Sequence, residues 1–296
     1  RQRQMCIRDR LEKAIADLED VLKRPARIRK IIMTELGDVA KKYGSPRKTE
    51  ILYDLPDDSA ADEQNEIPDY PVTVFFTREG YFKKITPQSL RMSGEQKLKD
   101  GDEVVYTKET TNSAELLFFT NHAQVYKSRA SEFADTKASV LGDYVASKLE
   151  MEEGEVPLFM TVTVDYRGYM LFFYQNGKCA KIPLASYMTK QNRRKLLKAY
   201  SDKEELAAML HIEEETELAV FTSGGTGGPR LILVGSALIP EKATRDTAGI
   251  NMVTLKKNAR IAKVRPAAGL ELKDPHRYRV RTLPAAGALL RQEDTT

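Results

Sequence analysis

The chain has 296 residues, 30% of them charged, with 47 Lys and Arg against 43 Asp and Glu and a formal net charge of +4. That length holds a sizeable core in one large or two modest domains, and so mild an average charge rules out neither a polyanionic nor a protein partner. No segment approaches a membrane span and no signal-peptide pattern is present, while Cys6 and Cys179, far apart, argue for a reducing cytosolic setting and against a disulfide scaffold.

Residues 1–10 (RQRQMCIRDR) suit neither a native start nor the segment that follows, and are set aside as a non-native scar. From Leu11 the apolar positions Leu11, Ala14, Ile15, Leu18, Val21 and Leu22 fall at helical spacing. Lys23-Arg24-Pro25 breaks that helix, and Pro25 suits the first turn of a second. The second helix carries Ile28, Ile31, Ile32, Leu36 and Val39 on one stripe and stops at Gly44-Ser45-Pro46, so residues 11–44 are expected to be helical. Residues 45–71, acidic and interrupted by Pro56 and Pro68, read as a linker.

From 72 to 266 the chain is expected to be mainly β, because one phrase recurs. Phe75-Phe76-Thr77-Arg78-Glu79-Gly80-Tyr81-Phe82-Lys83-Lys84-Ile85 returns from Phe118 (FFTNHAQVYK) and from Phe172 (FFYQNGKCAKI), and more loosely from Val220-Phe221-Thr222. Each copy is an apolar strand, a polar turn and a second strand, the first three bearing lysine, and a strand-built period of 40–50 residues signals a propeller-like repeat. A second phrase, Leu98–Val104, returns as Leu149–Val156 and faintly as Leu210–Glu215, marking the turn into each hairpin. Four blades can be counted, five if Met252-Val253-Thr254-Leu255 starts another. Residues 190–209, charged and rich in Leu, Lys and Ala, predict a helical insertion. Residues 267–296 form a basic tail expected to be disordered.

Catalytic constellations are scarce. His122, His211 and His276 stand apart from one another, the carboxylates at 100–103 and 152–155 recur with the fold as turn residues, and Ser223–Arg230 is glycine-rich without the Gly-Lys-Ser/Thr ending of a phosphate loop. No catalytic, metal or cofactor residue is assigned. The cations are more informative: Lys83, Lys84, Lys127, Lys178 and Lys181 recur with the repeat, so a circular fold would array them on a rim. With Arg129, Lys190, Arg193, Arg194, Lys195, Arg245, Lys256, Lys257, Arg260, Lys263 and Arg265 they form a candidate set of phosphate contacts to bent duplex DNA. Lysines that merely guard strand edges would look the same. A protein-binding propeller with no DNA role is therefore the rival reading, and an enzyme using the propeller channel a third.

The junction Lys41-Lys42-Tyr43-Gly44-Ser45-Pro46-Arg47-Lys48-Thr49-Glu50-Ile51 resembles the phrase that closes the coiled-coil arm of bacterial type IIA topoisomerase A subunits, those of DNA gyrase and topoisomerase IV. The repeats resemble the β-pinwheel C-terminal domain that follows it there, as do Pro183–Arg194 and Ala237–Gly249. The resemblance implies a part of an ATP-dependent, DNA-passing enzyme, acting in the bacterial cytoplasm at the nucleoid. Its partners would be double-stranded DNA, a dimer mate of its own kind, and the B subunit, which would hold ATP and Mg²⁺. The family's catalytic Ala-x-Arg-Tyr-(Thr/Ser) context is absent, so this stretch alone is expected to be inactive. The gyrase-box run Gln-Arg-Arg-Gly-Gly-Lys-Gly is absent too, which leans the resemblance toward topoisomerase IV.

Overall fold

The computed structural model describes residues 2–45, 68–93, 95–189, 194–225 and 227–294. The chain divides into two compact units, residues 1–65 and 66–296. Most of the acidic linker expected at 45–71 lies outside the described residues. In the first unit, α1 (Gln2–Lys23) and α2 (Pro25–Tyr43) meet where Arg24 is extended and Pro25 opens the second helix. The first helix thus runs back through the segment set aside as a scar. Arg27 ties the pair together through Asp17 (2.9 Å) and Asp20 (2.7 Å), while Leu11, Ile15, Leu18, Leu22 and Leu36 stay exposed.

The second unit consists of four antiparallel four-stranded blades. Blade 1 is built on β1 (Pro71–Thr77), β2 (Tyr81–Ile85) and β3 (Val104–Thr111). Blade 2 is built on β4 (Glu115–Thr120), β5 (Val125–Arg129) and β7 (Pro157–Thr163). Blade 3 uses β8 (Tyr169–Tyr174), β9 (Lys178–Pro183) and β11 (Leu206–Ile212), and blade 4 uses β12 (Glu217–Gly224), β13 (Arg230–Gly235) and β15 (Ala259–Pro266). The fourth strand of each is a two-residue lace: β6 (Asp143–Tyr144), β10 (Lys195–Leu196), β14 (Ile250–Asn251) and β16 (Ala288–Leu289). The strand orders are β3-β1-β2-β6, β7-β4-β5-β10, β11-β8-β9-β14 and β15-β12-β13-β16. The chain therefore builds the hairpin of one blade, returns to lace the blade before it, and only then lays down its own third strand.

This sandwiching explains the Phe-Phe phrase. Neighbouring residues of a strand point to opposite faces, and a blade packed on both faces needs apolar side chains at both. Phe118 faces blade 1, 5.9 Å from Phe76 and 6.0 Å from Phe82, while Phe119 faces blade 3, 5.8 Å from Phe172. Phe172 looks back to blade 2 and Phe173 forward to blade 4, both with no exposed surface. The array is open-ended. The outer face of blade 1 is covered by Leu90, Val104 and Ala138, and that of blade 4 by Leu270, Tyr278 and Leu290. The ion pair of Lys108 (β3) with Glu213 (after β11) joins blade 1 to blade 3 past blade 2, which puts these third strands on the inner side of the curve and the laces on the outer.

Four expectations are corrected here. Residues 190–209 hold no helix among those described; β10 and the start of β11 lie there, and pairing with β5 and β8 overrides a helix-favouring composition. Met252 and Val253 do not start a fifth blade, since they are buried in the core between blades 3 and 4 just after β14. The described part of the tail, residues 267–294, is folded: β16 pairs with β13, and Tyr278 is 1% exposed. It stands where a next blade's lace would lie. The recurring turn phrase is corrected as well: Leu98–Val104 and Leu149–Val156 lead into the third strands β3 and β7 rather than into a hairpin, whereas Leu210–Glu215 covers the end of β11 and the turn into β12, the first strand of the blade 4 hairpin.

Candidate nucleic-acid interface

The recurring lysine occupies one structural position. Lys84 pairs with Val74, Lys127 with Leu117 and Lys181 with Leu171, so the three are equivalent by register. Each reaches a carboxylate and the face of a tyrosine. Lys84 lies 3.1 Å from Asp135 and 5.8 Å from the Tyr70 ring, Lys127 3.5 Å from Glu115 and 5.1 Å from Tyr166, and Lys181 on Glu215 and 4.2 Å from Tyr169. Lys84 also donates to Asn112 Oδ1 (2.6 Å), and Lys181 to the Ser236 carbonyl. Blade 4 has Leu233 at this register, packed with Tyr278. The neighbouring Lys83 donates to the Lys97 carbonyl (2.6 Å), and burial pushes its ammonium below the usual lysine range.

Lys83, Lys84 and Lys181 are 1–2% exposed, which corrects their assignment to the DNA-facing rim. Desolvating an ammonium is tolerated only with partners, and these partners are internal. The lysine period belongs to the fold. Lys127, Lys178 and Lys195 are half-buried and paired, Lys178 with Glu204 (2.9 Å) and Lys195 with Glu152 (2.6 Å). Arg245 lies over the Tyr187 ring and Arg265 over Phe221, Arg194 is exposed beside Glu132 (3.5 Å), and Arg129 is half-buried. Lys190 and Arg193 fall outside the described residues. Lys256, Lys257, Arg260 and Lys263 are exposed and form no ion pair among the described residues.

Hairpin tips and the turns before the third strands lie at the same end of each sheet, as the pairings Thr77 with Val104 and Gly224 with Ala259 show. Successive tips adjoin. Tyr200, at the blade 3 tip, donates to the Thr120 carbonyl of blade 2 (2.6 Å), and the Ile261 amide of blade 4 donates to the Gln175 carbonyl of blade 3 (3.1 Å). One face of the array is therefore a row of tips. In blade 1 its cations are matched, Arg78 by Glu103 and Lys99 by Glu79 (2.6 Å). Blade 2 carries Glu152, Glu153 and buried Glu155, and blade 3 carries Asp202, Glu204 and Glu205 around an exposed Lys203. At the blade 4 tip stand Lys256 and Lys257. In the sequence these two are members of a larger candidate set; the signal that separates them is the lack of an acidic residue between Lys256 and Arg265.

Other chemistry is sparse among the described residues. His122, Glu152 and Glu155 present atoms within 4.8 Å of one another, but Lys195 lies 2.6 Å from Glu152 and 3.9 Å from Glu155, and Glu155 already accepts from Thr120 and Tyr126 (2.8 Å). Although burial opposes it, those hydrogen bonds hold the Glu155 carboxyl below the usual range. His211 borders a cavity of about 250 Å³ with Lys108, Asp165, Arg167 and Glu213; burial lowers its pKa, and both ring nitrogens are engaged, by Thr161 (2.8 Å) and the Arg167 carbonyl (3.2 Å). Burial also raises the Cys179 thiol far above its ordinary value, which makes it unreactive.

Against known proteins, no family model matches the chain. It is 29% identical over 197 residues to the A subunit of DNA gyrase from Streptomyces coelicolor, covering 63% of this chain and 23% of that protein. It is 24% identical over 251 residues to the A subunit of DNA topoisomerase 4 from Staphylococcus aureus, covering 83% and 31%. The chain thus spans about a quarter to a third of the length of these relatives. Among solved structures, the C-terminal domain of DNA topoisomerase IV matches with a TM-score of 0.63 at 19% identity, over 75% of this chain and 73% of that one. The E. coli ParC C-terminal domain matches with a TM-score of 0.55 at 13% identity, over 75% and 94%.

Proposed function

We propose that this chain, whose homologues are the A subunits of bacterial DNA gyrase and topoisomerase IV and whose four blades form a β-pinwheel, is the duplex-binding C-terminal part of such a protein. The similarity along 83% of the chain to a topoisomerase A subunit is the observation that carries this reading. ATP use would belong to the B subunit, strand cleavage to the remainder of the A subunit, with A subunits paired in the full enzyme. This part would hold a duplex segment near the cleavage site by neutralising phosphates, selecting shape over sequence. A bend over a site of 20–30 base pairs costs roughly 1–6 kcal/mol, which a few phosphate contacts offset. The missing gyrase box favours topoisomerase IV-type work, decatenation and relaxation, over full wrapping.

Fluorescence anisotropy with a labelled 40-base-pair duplex tests this directly. Affinity is expected to fall as salt rises, and end-to-end energy transfer to report a bend. A chain that ignores duplex DNA at low salt, and recovers only protein partners, would favour the protein-binding propeller instead.

A further inference from the structure

We propose that His211 is a proton-sensitive joint in the inner seam of the pinwheel, holding the third strands of blades 1, 2 and 3 together while neutral and releasing them when it takes up a proton. The joint is built from side chains that cross between edge strands. β7 is the edge strand of blade 2, and its Val162 amide donates to the Tyr106 hydroxyl oxygen of β3 (3.3 Å). Tyr106 also meets the hydroxyl of Thr161, a residue with no exposed surface whose Oγ1 lies 2.8 Å from Nδ1 of His211 in β11. Nε2 of the same ring lies 3.2 Å from the Arg167 carbonyl, in the loop that follows β7. That loop is pressed onto the end of β11: Gly168 has a φ of +84°, and a Cβ there would run into the Ile212 carbonyl oxygen. Lys108 and Glu213 span the same seam from blade 1 to blade 3.

The ring makes these bonds in one protonation state. A carbonyl only accepts, so Nε2 carries the hydrogen; Nδ1 is then a bare acceptor, and the Thr161 hydroxyl donates to it. A second proton turns Nδ1 into a donor. The Thr161 hydroxyl must then reverse, and the bonds running from β3 through β7 to β11 are rewired. The new charge would lie half-buried, faced by Lys108 and Tyr106 from β3, Asp165 and Arg167 from the loop after β7, and Glu213 and Glu214 from its own turn. Burial, more than any neighbour, holds the ring below the usual histidine pKa; Lys108 adds to this, and the Arg167 carbonyl and Glu213 oppose it. Lys108 in turn holds Glu213 below the ordinary carboxylate range, so that group takes up its proton only below about pH 4.3. The folded ring thus binds a proton less readily than an opened one, whose pKa is about 6.5. The seam is fully stable above that value and loses stability as pH falls below it, until the folded ring titrates as well.

Amide hydrogen exchange at Val162, measured by NMR on the whole chain from about pH 7.5 to about pH 5 and corrected for the intrinsic rate, tests the joint. Opening takes up one proton, so protection should fall about tenfold per pH unit below about 6.5 and level off at the His211 pKa, read from the imidazole resonances of the same sample. Loss of one imidazole signal in His211→Gln assigns that resonance. The glutamine amide can accept from Thr161 and donate to the Arg167 carbonyl but takes up no proton, so in this variant protection should stay within about twofold over the same range. Flat protection in the wild type, an equal fall in His211→Gln, or a His211 pKa at or above about 6.5 each overturns the joint. Should His211→Gln fail to fold, the wild type decides alone: a fall that ends at the measured His211 pKa supports the joint, and one that continues past it belongs to carboxylates and refutes it. The readout needs no DNA, so its outcome and that of the duplex-binding test are independent.

Discussion

Lys181 and Glu215 share one ion pair unequally, the lysine side chain being 3% exposed and the glutamate 43%. Removing either partner breaks the same contact, but what is left behind differs. Lys181→Met leaves a carboxylate that water can reach and should cost about 1–2 kcal/mol, whereas Glu215→Ala strands a buried ammonium and should cost about 3–5 kcal/mol. Urea unfolding of both variants checks the order, which reverses if the lysine is free to swing into solvent. Glu215 is also expected to make the domain acid-sensitive. Against a burial effect that opposes it, hydrogen bonds from Lys181 and Ser236 hold its carboxyl below the ordinary range. A depressed folded-state pKa contributes stability above the unfolded value, about 4.3, that is lost as pH falls through the folded one. Glu215→Gln should therefore narrow the difference in unfolding midpoint between pH 7 and pH 3.5. These partners are not legible in the sequence. The lysines recur in register, but Asp135, Glu115 and Glu215 answer them from a loop, a strand start and a turn, so no period links each pair.

At the scale of elements, the tail is the part whose sequence is least like its structure. Residues 267–294 are rich in Ala, Leu and Arg and have little strand propensity, yet they complete blade 4. Their order comes from the unpaired edge of β13, which an isolated reading of the tail cannot see. Tyr278 anchors the segment: its hydroxyl donates to Asp294 (2.7 Å) and accepts from the Arg291 amide (3.2 Å). Tyr278→Ala should cost about 3–5 kcal/mol, and hydrogen exchange should show β13 losing protection before β8. Equal protection of the two strands would mean that the tail adds nothing to blade 4. The middle strands, by contrast, are plain in the sequence, because a blade packed on both faces imposes a doublet such as Phe118-Phe119 that few other folds require. β10 and β11 resist such a reading because Leu, Ala, Met and Lys satisfy either conformation until neighbouring strands decide.

Across the whole molecule, lacing removes the independence of the blades. β6 gives blade 1 its last strand from chain beyond the blade 2 hairpin, and β10 and β14 repeat the arrangement. No blade holds a complete sheet within its own hairpin and third strand, unlike the self-contained units of a solenoid. The pinwheel is therefore expected to unfold as one unit. Circular dichroism and tyrosine fluorescence, convenient in a chain with 13 Tyr and no Trp, should give coincident denaturant transitions. Two separated transitions within residues 66–296 would show that lacing does not couple the blades.

A borrowed strand also governs how such a chain can lengthen or shorten over evolution. The unit that can be duplicated without orphaning a sheet edge is a hairpin, the lace for the blade before it, and the third strand, not the visible blade. The ends fit that rule. Blade 1, with no blade before it among the described residues to lace, carries the short helix Pro87–Arg91 in the gap, and the tail supplies a lace with no hairpin in front of it. Blade number is then a count of copies between two fixed terminators, so copies can be gained or lost while both ends stay closed.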